Sequence, residues 1–261
     1  MKLRYCLPTY NQPHMLRRAV EAALQSDVVL DGVTVVDLSP EHYAAEVLNG
    51  LEDVTVLTMP TNIGLGACWN LFYALYDDYF VIGNDDVIVE PQTIRELVLA
   101  AAQSPEALFF GYKDQFSFFL LKKPAYLQAG PFDPAFWPIY WEDVCMSHRL
   151  QLLGYTPVTV DAARFEHEHS RSLNALEDPA AKATFWNRFK RNQAYYEDKW
   201  GGTRGQETHR LPFNGEPARV PPFDWTPPEP PATPQLAPPE AAIETDNTPH
   251  ALEAGSVLDA E

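Results

Sequence analysis

Three consecutive polar residues, Asn84-Asp85-Asp86, stand between two apolar stretches, residues 79–83 and 87–89. Adjacent carboxylates repel each other unless a cation or hydrogen-bond donors compensate their charge. A divalent ion that bridges a diphosphate is the usual compensation, and Mg²⁺ or Mn²⁺ prefers such oxygen ligands. The alternative interpretation is a plain turn, because Asn and Asp favour turns.

A second acidic pair, Glu142-Asp143, follows an aromatic stretch at residues 132–141 and begins a helical pattern that ends at Gly154. Aromatic surface raises the pKa of a neighbouring carboxylate toward working pH, which suits a general base. The same stretch, with Trp137, Tyr140 and Trp141, offers flat faces to sugar rings or bases. The alternative is that acidic residues at a helix start simply complement the helix dipole.

Two further patterns are weaker. The first is His167-Glu168-His169, in which alternation along an extended segment would place both rings on one side, where they can bind a metal. The alternative is that such residues more often lie in a loop. Between Asn62 and Asn70, Gly64 and Gly66 precede a predicted helix start, which favours phosphate; a plain helix cap fits equally well. Neither a Gly-x-Gly-x-x-Gly motif nor a Walker motif occurs.

Strands and helices alternate through the first 110 residues. Apolar runs predict strands at residues 3–7, 33–36, 54–57, 79–82 and 107–110, and helical periodicity predicts helices at 15–24, 43–51, 67–75 and 93–102. This order predicts an α/β fold with a doubly wound, mainly parallel sheet and helices on both faces. Ligands bind such sheets beyond the carboxyl ends of the strands. Four polar clusters follow predicted strands: Pro8-Thr9-Tyr10-Asn11, Asp37-Leu38-Ser39, Asn62–Gly66 and Asn84-Asp85-Asp86. We therefore predict a nucleotide site at this edge.

The chain of 261 residues has a formal net charge of −17, which argues against non-specific binding to nucleic acid or anionic lipid. Its three cysteines are far apart, so buried thiols in a reducing cytosol are expected rather than a disulfide framework. We expect neither a signal peptide nor a transmembrane segment, and hence a cytoplasmic protein. Residues 215–261 contain 11 of the 24 prolines and nine acidic residues, which predicts a disordered, acidic, Pro-rich tail after a domain at residues 1–214.

Taken together, these stretches resemble the family 2 glycosyltransferases of the GT-A fold, a group that uses nucleotide sugars and includes rhamnosyl- and galactosyltransferases. The resemblance covers about residues 1–214, and the order and spacing of its short motifs make it specific. The motifs are Pro8-Thr9-Tyr10-Asn11, Val35-Val36-Asp37-Leu38-Ser39, Asn62-Ile63-Gly64-Leu65-Gly66-Ala67-Cys68-Trp69-Asn70, Asn84-Asp85-Asp86-Val87, Gly130-Pro131-Phe132-Asp133, Tyr140-Trp141-Glu142-Asp143 and Arg149-Leu150 with Gly154-Tyr155.

The resemblance implies a role for each matching position. It assigns the nucleotide sugar to Pro8, Thr9, Tyr10, Asn11, Asp37, Asn62, Gly64, Asn70, Asn84 and Asp85, with Asp37 on the nucleobase and Asp85 near the ribose. It assigns the metal to Asp86 and His167, with His169 a near rival, and the catalytic base to Asp143 beside Glu142. Three positions depart from the pattern: Asn84 replaces the first Asp of Asp-x-Asp, Leu38 replaces Asn or Gly, and Cys145 replaces a second Asp.

We therefore expect a metal-dependent, inverting glycosyltransferase, hexosyltransferase-like and of the EC 2.4 class, that uses Mn²⁺ or Mg²⁺. The expected donor is a UDP-, GDP- or dTDP-sugar, and the expected acceptor is a hydroxyl of a glycan, a lipid-linked sugar or a protein. Two alternatives stay open. A nucleotidyltransferase typically needs a basic Gly-rich loop where this chain has Tyr10-Asn11-Gln12, and a catalytically silent sugar-nucleotide or glycan-binding module would tolerate loss of Asp143.

Overall fold

Apolar runs from across the first 160 residues pair into one seven-stranded sheet. A computed structural model describes residues 2–77, 79–113, 115–167 and 179–219, which all lie in the compact unit Met1–Thr226. The strands are β1 (Leu3–Thr9), β2 (Val33–Asp37), β3 (Val54–Thr58), β4 (Tyr79–Gly83), β6 (Leu108–Phe110), β7 (Phe118–Leu121) and β8 (Val158–Thr159). Their order in the sheet is β3-β2-β1-β4-β7-β6-β8. The pairs β1–β2, β1–β4, β2–β3 and β6–β8 are parallel, whereas β7 runs antiparallel to both of its neighbours.

Helices cover both faces of this sheet, as expected for buried parallel strands. They are α1 (Pro13–Leu24), α2 (Ala44–Val47), α3 (Leu65–Leu75), α4 (Thr93–Gln103), α5 (Lys123–Ala129) and α6 (Glu142–Leu152). One hydrophobic core joins α1, α2 and α4 to the sheet, and a second joins α3, α5 and α6. Alternation along β1 explains the division, because Tyr5 and Leu7 belong to the first core and Cys6 to the second.

A short pair of strands and a long helix complete the described unit. Strands β5 (Val87–Val89) and β9 (Phe165–His167) form an antiparallel pair, in which Val87 lies opposite His167. The long helix α7 (Pro179–Trp200) packs Tyr195, Tyr196 and Trp200 into a third hydrophobic cluster with Phe136 and Cys145.

The fold prediction is confirmed: the sheet is mainly parallel and the helices lie on both faces. The five predicted strands and three of the four predicted helices occur within two residues of their expected bounds. The helix predicted at residues 43–51 is too long, since its helical part, α2, has four residues. The sequence patterns do not predict β5, β7, β8 or β9, which are two to four residues long.

The structure also bears on the predictions for the cysteines, the tail and membrane-spanning segments. Cys6, Cys68 and Cys145 are buried free thiols, as predicted. Residues 215–219 of the predicted tail are described, and Arg219 there pairs with Asp198 of α7 at 2.7 Å; residues 220–261 lie outside the described residues. No helix in the described ranges is both long enough and apolar enough to span a bilayer.

Candidate active site

The carboxyl ends of β1, β2 and β4, which we call the carboxyl edge, are joined by side-chain hydrogen bonds. Thr9 at the end of β1 donates its hydroxyl to Asp85 Oδ2 at 2.7 Å, and the backbone N–H of Tyr10 donates to the same oxygen at 3.3 Å. The backbone N–H of Asn11, which has φ of 55°, donates to Ser39 Oγ at 3.1 Å. Three of the four polar clusters therefore meet at one place, as the parallel sheet requires.

Asp85 has a raised pKa for an aspartate. Burial raises its pKa to about 7; the Thr9 hydrogen bond opposes this rise, and the neighbouring charge of Asp86 adds to it. The Thr9 hydroxyl also lies 2.6 Å from Tyr43 Oη, and Tyr43 in turn accepts the N–H of Gln12 at 2.8 Å. Asp85 is thus part of a connected polar network that fixes the loop after β1.

Asp37 at the end of β2 is fully buried. Its Oδ1 accepts the N–H of Ser39 and its Oδ2 accepts the N–H of Ala44, each at 2.9 Å. The carboxylate therefore ties the loop after β2 to the start of α2. Its role on a nucleobase stays a prediction, and the four lone-pair sites of a carboxylate leave room for a further donor beside these two.

Asp86 and His167 lie together because β5 pairs with β9. Asp86 Oδ1 is 3.2 Å from His167 Nε2, and both side chains are largely buried. His169, the rival candidate, lies outside the described residues. The strand pairing thus brings to Asp86 the one of the two histidines that the sequence resemblance favours.

The Asp86–His167 pair fits a divalent ion that takes its other ligands from a diphosphate and water. Asn84 Oδ1 is buried beside this pair and has no hydrogen-bond partner among the described residues. No three His, Cys, Asp or Glu side chains in the described ranges gather as a complete metal site. Mg²⁺ is typically bound by one or two carboxylates plus substrate phosphates, so a two-residue protein contribution is consistent with such use.

The fourth polar cluster, residues 62–66, faces the aromatic stretch. Asn62 Oδ1 accepts the N–H of Gly64 at 2.8 Å, and the backbone O of Asn62 accepts the indole N–H of Trp137 at 2.8 Å. Gly64 has φ of 85°, and a Cβ there would lie 2.9 Å from Trp137 Cδ1, so glycine permits this close approach. Asn70 in α3 brackets Phe132, because its amide donates to Phe132 O and accepts from Phe132 N, both at 2.8 Å.

Glu142 and Asp143 lie in the first turn of α6, and burial raises the pKa of both carboxyls. Burial raises the pKa of Glu142 well above its usual range, and the charge of Asp143 raises it further. Burial also raises the pKa of Asp143, but the N–H of Val144, which donates to Asp143 Oδ1 at 2.8 Å, and the positive charge of Arg204 oppose that rise. Both carboxyls of the pair therefore have a raised pKa, and Arg204 opposes the rise at Asp143.

Residues 133–141, which we call the aromatic loop, lead directly into this acidic pair. Trp137 is stacked by the guanidinium of Arg188, whose carbon lies 4.4 Å from the ring centroid. Tyr140 contacts Phe189 of α7 at a ring distance of 5.5 Å, and Trp141 contacts Tyr196 at 5.1 Å. All three predicted acceptor-binding aromatics thus contact side chains of α7. The buried Trp141 Nε1 and Glu142 Oε2 have no hydrogen-bond partner in the described part of the chain.

Three residues at the site are not predicted by the sequence patterns. Tyr43 supports Thr9, Arg204 acts electrostatically on Asp143, and Asn192 of α7 contacts the aromatic loop. A weak signal exists for Arg204, which stands in the glycine-rich run Gly201-Gly202-Thr203-Arg204-Gly205. Tyr43 and Asn192 carry no local pattern that sets them apart from structural residues.

Comparison with known proteins identifies the fold and the family. Residues 5–153 match the family described as Glycosyl transferase family 2. The chain is similar in structure to the mannosyltransferase PcManGT from Pyrobaculum calidifontis in complex with GDP-Man and Mn²⁺, with a TM-score of 0.59 and 14% identity. The alignment covers 75% of this chain and 61% of that enzyme, so the chain spans less than two thirds of its length.

A second similar structure is that of S. aureus TarS residues 1–349, with a TM-score of 0.53, 13% identity, and coverage of 74% of this chain and 72% of that one. No curated protein sequence matches this chain. At these identities the two structures support the fold, whereas the family match extends over more than half of the 261 residues. The resemblance seen in the sequence is therefore confirmed, and the chain is a GT-A-fold protein that belongs to glycosyl transferase family 2.

Proposed function

We propose that this chain transfers a hexose-like sugar from a nucleoside diphosphate sugar to an acceptor hydroxyl, with metal dependence and inversion at the anomeric carbon. The observation that carries the proposal is the Asp86–His167 pair, 3.2 Å apart, at the end of β4 where a doubly wound sheet binds its ligand. Asn84 Oδ1 lies beside this pair, is buried, and has no hydrogen-bond partner among the described residues. This free acceptor supports a site that takes a further ligand.

The carboxyl edge would hold the donor. Thr9, Tyr10 and Asn11 with Asp37 would bind the nucleoside, and Asp86 with His167 would hold Mn²⁺ or Mg²⁺ on the diphosphate. When bound, such an ion supplies Lewis-acid stabilisation of the leaving diphosphate. The similar mannosyltransferase structure was solved with GDP-Man and Mn²⁺, which supports this class of donor and ion without fixing the nucleotide.

Asp143 would act as the general base. It would accept the proton of the acceptor hydroxyl while that oxygen attacks the anomeric carbon from the face opposite the leaving group, which inverts the configuration. A base needs to lie within about 2.6–3.2 Å of the hydroxyl oxygen, directly or through one water. Burial and the charge of Asp143 raise the pKa of the neighbouring Glu142 well above the usual range. The aromatic loop would receive a glycan, lipid-linked or protein acceptor.

A donor screen tests the proposal. UDP-, GDP- and dTDP-sugars are titrated against the wild type with and without Mn²⁺, and nucleoside diphosphate release is measured for Asp86→Ala and Asp143→Asn. We expect Asp86→Ala to weaken metal-dependent binding by at least about 100-fold, since even residues that only support a ligand cost about 10- to 100-fold. Asp143→Asn should retain binding and lose about 10²- to 10⁴-fold in turnover.

The exposed Glu90, which follows β5, supplies a matched control for Asp86, and Glu90→Ala should bind the donor like the wild type. The product separates the alternatives, because a nucleotidyltransferase releases pyrophosphate and a silent binding module releases neither product. Failure of every nucleotide sugar to bind in the presence of metal would refute the proposal.

A further inference from the structure

We propose that Asn192 of α7 is a positioning residue for the transfer reaction: it holds the aromatic loop in the conformation that directs Asp143 at the acceptor. The inference rests on the proposed function for its catalytic purpose. Asn192 lies 39 residues beyond the end of the family match at residue 153, so nothing in that match assigns it a role.

The Asn192 side chain lies at the centre of a ring of backbone carbonyls. It is fully buried, and its Nδ2 lies 2.7 Å from Phe136 O, 3.1 Å from Ile139 O, 3.3 Å from Tyr140 O and 3.5 Å from Trp137 O. An amide nitrogen has two protons, so the shorter contacts are its main hydrogen bonds and the longer ones share them. One side chain thus reaches carbonyls along most of the loop.

The surroundings fix which end of the amide faces the loop. The four loop atoms that the amide nitrogen contacts are all acceptors, so a donor has to stand there. Asn192 Oδ1 meanwhile accepts Nη1 of Arg191 at 2.9 Å, and the same guanidinium nitrogen donates to Ala135 O at 2.9 Å. An aspartate at position 192 would have the same shape and would put negative oxygen against the carbonyls.

The loop needs such support because of its backbone. Tyr140 has φ of 74° and Trp141 has φ of 78°, a left-handed conformation that is costly for two consecutive bulky residues. Trp141 is also the residue that precedes α6, and its carbonyl accepts the N–H of Cys145 at 2.9 Å. The direction of the first turn of α6, and with it the place of Asp143, therefore depends on the conformation that Asn192 holds.

The test compares Asn192→Asp and Asn192→Ala with the neighbouring Gln193→Ala as control. Gln193 lies on the same helix, but its amide donates to Glu197 at 2.9 Å rather than to the loop. Three quantities are measured: hydrogen exchange of the loop amides, affinity for GDP or UDP with Mn²⁺, and kcat for transfer from, or hydrolysis of, the donor that binds the wild type.

We expect amides of residues 133–141 to exchange about 5- to 30-fold faster in both Asn192 variants, because one or two hydrogen bonds are lost. Nucleotide affinity should stay unchanged, since none of the Asn192 contacts involves the residues proposed to bind the nucleoside and the metal. The kcat should fall about 10- to 100-fold, the range that displacement of a catalytic group by about 1 Å produces. Gln193→Ala should match the wild type in all three.

Each opposing result has a separate meaning. Unchanged loop exchange in Asn192→Asp refutes the support of the loop by Asn192, whatever the activity. Faster loop exchange with wild-type kcat refutes the positioning role, and an equal loss of nucleotide affinity shows general damage instead.

If no nucleotide sugar binds the wild type, the proposed function fails and the catalytic purpose of Asn192 fails with it, while the exchange result still decides the structural claim. If the Asn192 variants do not fold, Arg191→Ala removes the neighbouring contacts to Ala135 and Asn192 and should give a smaller change of the same kind.

Discussion

The two halves of the candidate site are built in different ways. The carboxyl edge consists of residues at or just past the ends of β1, β2 and β4, so the parallel pairing of these strands brings Thr9, Asp37 and Asp85 together. The aromatic loop follows no strand of the sheet and is hydrogen-bonded by side chains of α7 that come 52 to 66 residues later in the chain. One half is positioned by backbone pairing and the other by long-range side-chain contacts.

Because the two halves are positioned differently, we expect them to respond to different substitutions. Substitutions on α7 should loosen the aromatic loop and leave the carboxyl edge intact. Substitutions in the network around Thr9 should do the reverse. If the two halves are as independent as their contacts indicate, damage to one should leave the other unchanged.

The largest effect is expected at the ion pair that anchors the start of the aromatic loop. Lys199 Nζ lies 2.5 Å from Asp133 Oδ2, which also accepts the hydroxyl of Tyr195 at 3.2 Å, and both charged side chains are largely buried. Lys199→Met removes one partner and leaves the other charge buried, so the free energy of unfolding should fall by about 3 kcal/mol. Chemical denaturation at neutral pH measures it, with nucleotide affinity recorded in parallel.

The pH dependence of this effect has a defined sign. Burial alone would raise the pKa of Asp133, but the charge and the hydrogen bond of Lys199 lower it below the usual value. A depressed folded-state pKa contributes stability above the unfolded pKa, and this is lost as the pH falls through the folded pKa. The difference between wild type and Lys199→Met should therefore shrink in acid. Lys190→Met, at an exposed position of the same helix, is the control, and equal stability of the two variants would contradict the prediction.

The second prediction concerns the carboxyl edge and is intermediate in size. Thr9→Val removes the hydroxyl that joins Asp85 Oδ2 and Tyr43 Oη, and the free energy of unfolding should fall by about 1–2 kcal/mol. Thr34→Val is a matched control on β2, because the buried Thr34 hydroxyl lies 2.8 Å from Tyr76 Oη. We expect similar destabilisation from both substitutions.

Nucleotide binding should distinguish these two threonine variants. Thr9→Val frees the loop after β1 and should weaken the affinity for nucleoside diphosphate, whereas Thr34→Val should not, and neither should change the exchange of the aromatic-loop amides. Isothermal titration with Mn²⁺ measures the affinity. Equal affinities in the two variants would mean that the Thr9 network does not shape the donor site.

The same contrast explains what can be predicted from the sequence. Residues that follow an apolar run can be identified from the sequence alone, so the sequence patterns place Thr9, Asp37 and Asn84-Asp85-Asp86 at one edge. In the structure, hydrogen bonds join the three loops that contain these residues. The Asp86–His167 contact depends on the pairing of β5 with β9. Each of these strands has only three residues, which is too short for an alternating hydrophobic pattern to predict a strand.

The aromatic loop is the part of the site that the sequence predicts least well. Its tryptophans and tyrosine suggest an acceptor surface, yet the loop also contains left-handed backbone at Tyr140 and Trp141, and the Tyr140 carbonyl accepts a hydrogen bond from a buried amide of α7. Helical periodicity does not tell a buried Asn that binds carbonyls from one on a solvated face. The role of Asn192 follows only from the way α7 packs against the loop.

The smallest effect is expected where the segment past α7 influences Asp143 through charge alone. Burial raises the pKa of Asp143 and the exposed Arg204 lowers it, so Arg204→Gln should raise that pKa further. A base works when ionised, hence the acidic limb of the pH profile of kcat/KM should move to higher pH while the plateau at high pH stays unchanged. Arg204→Lys keeps the charge and should keep the wild-type limb, and about 1 M salt should erase most of the difference because the Debye length then falls to about 3 Å. A limb that moves to lower pH, or moves equally in Arg204→Lys, would mean that Arg204 acts by contact with the substrate rather than through the charge state of Asp143.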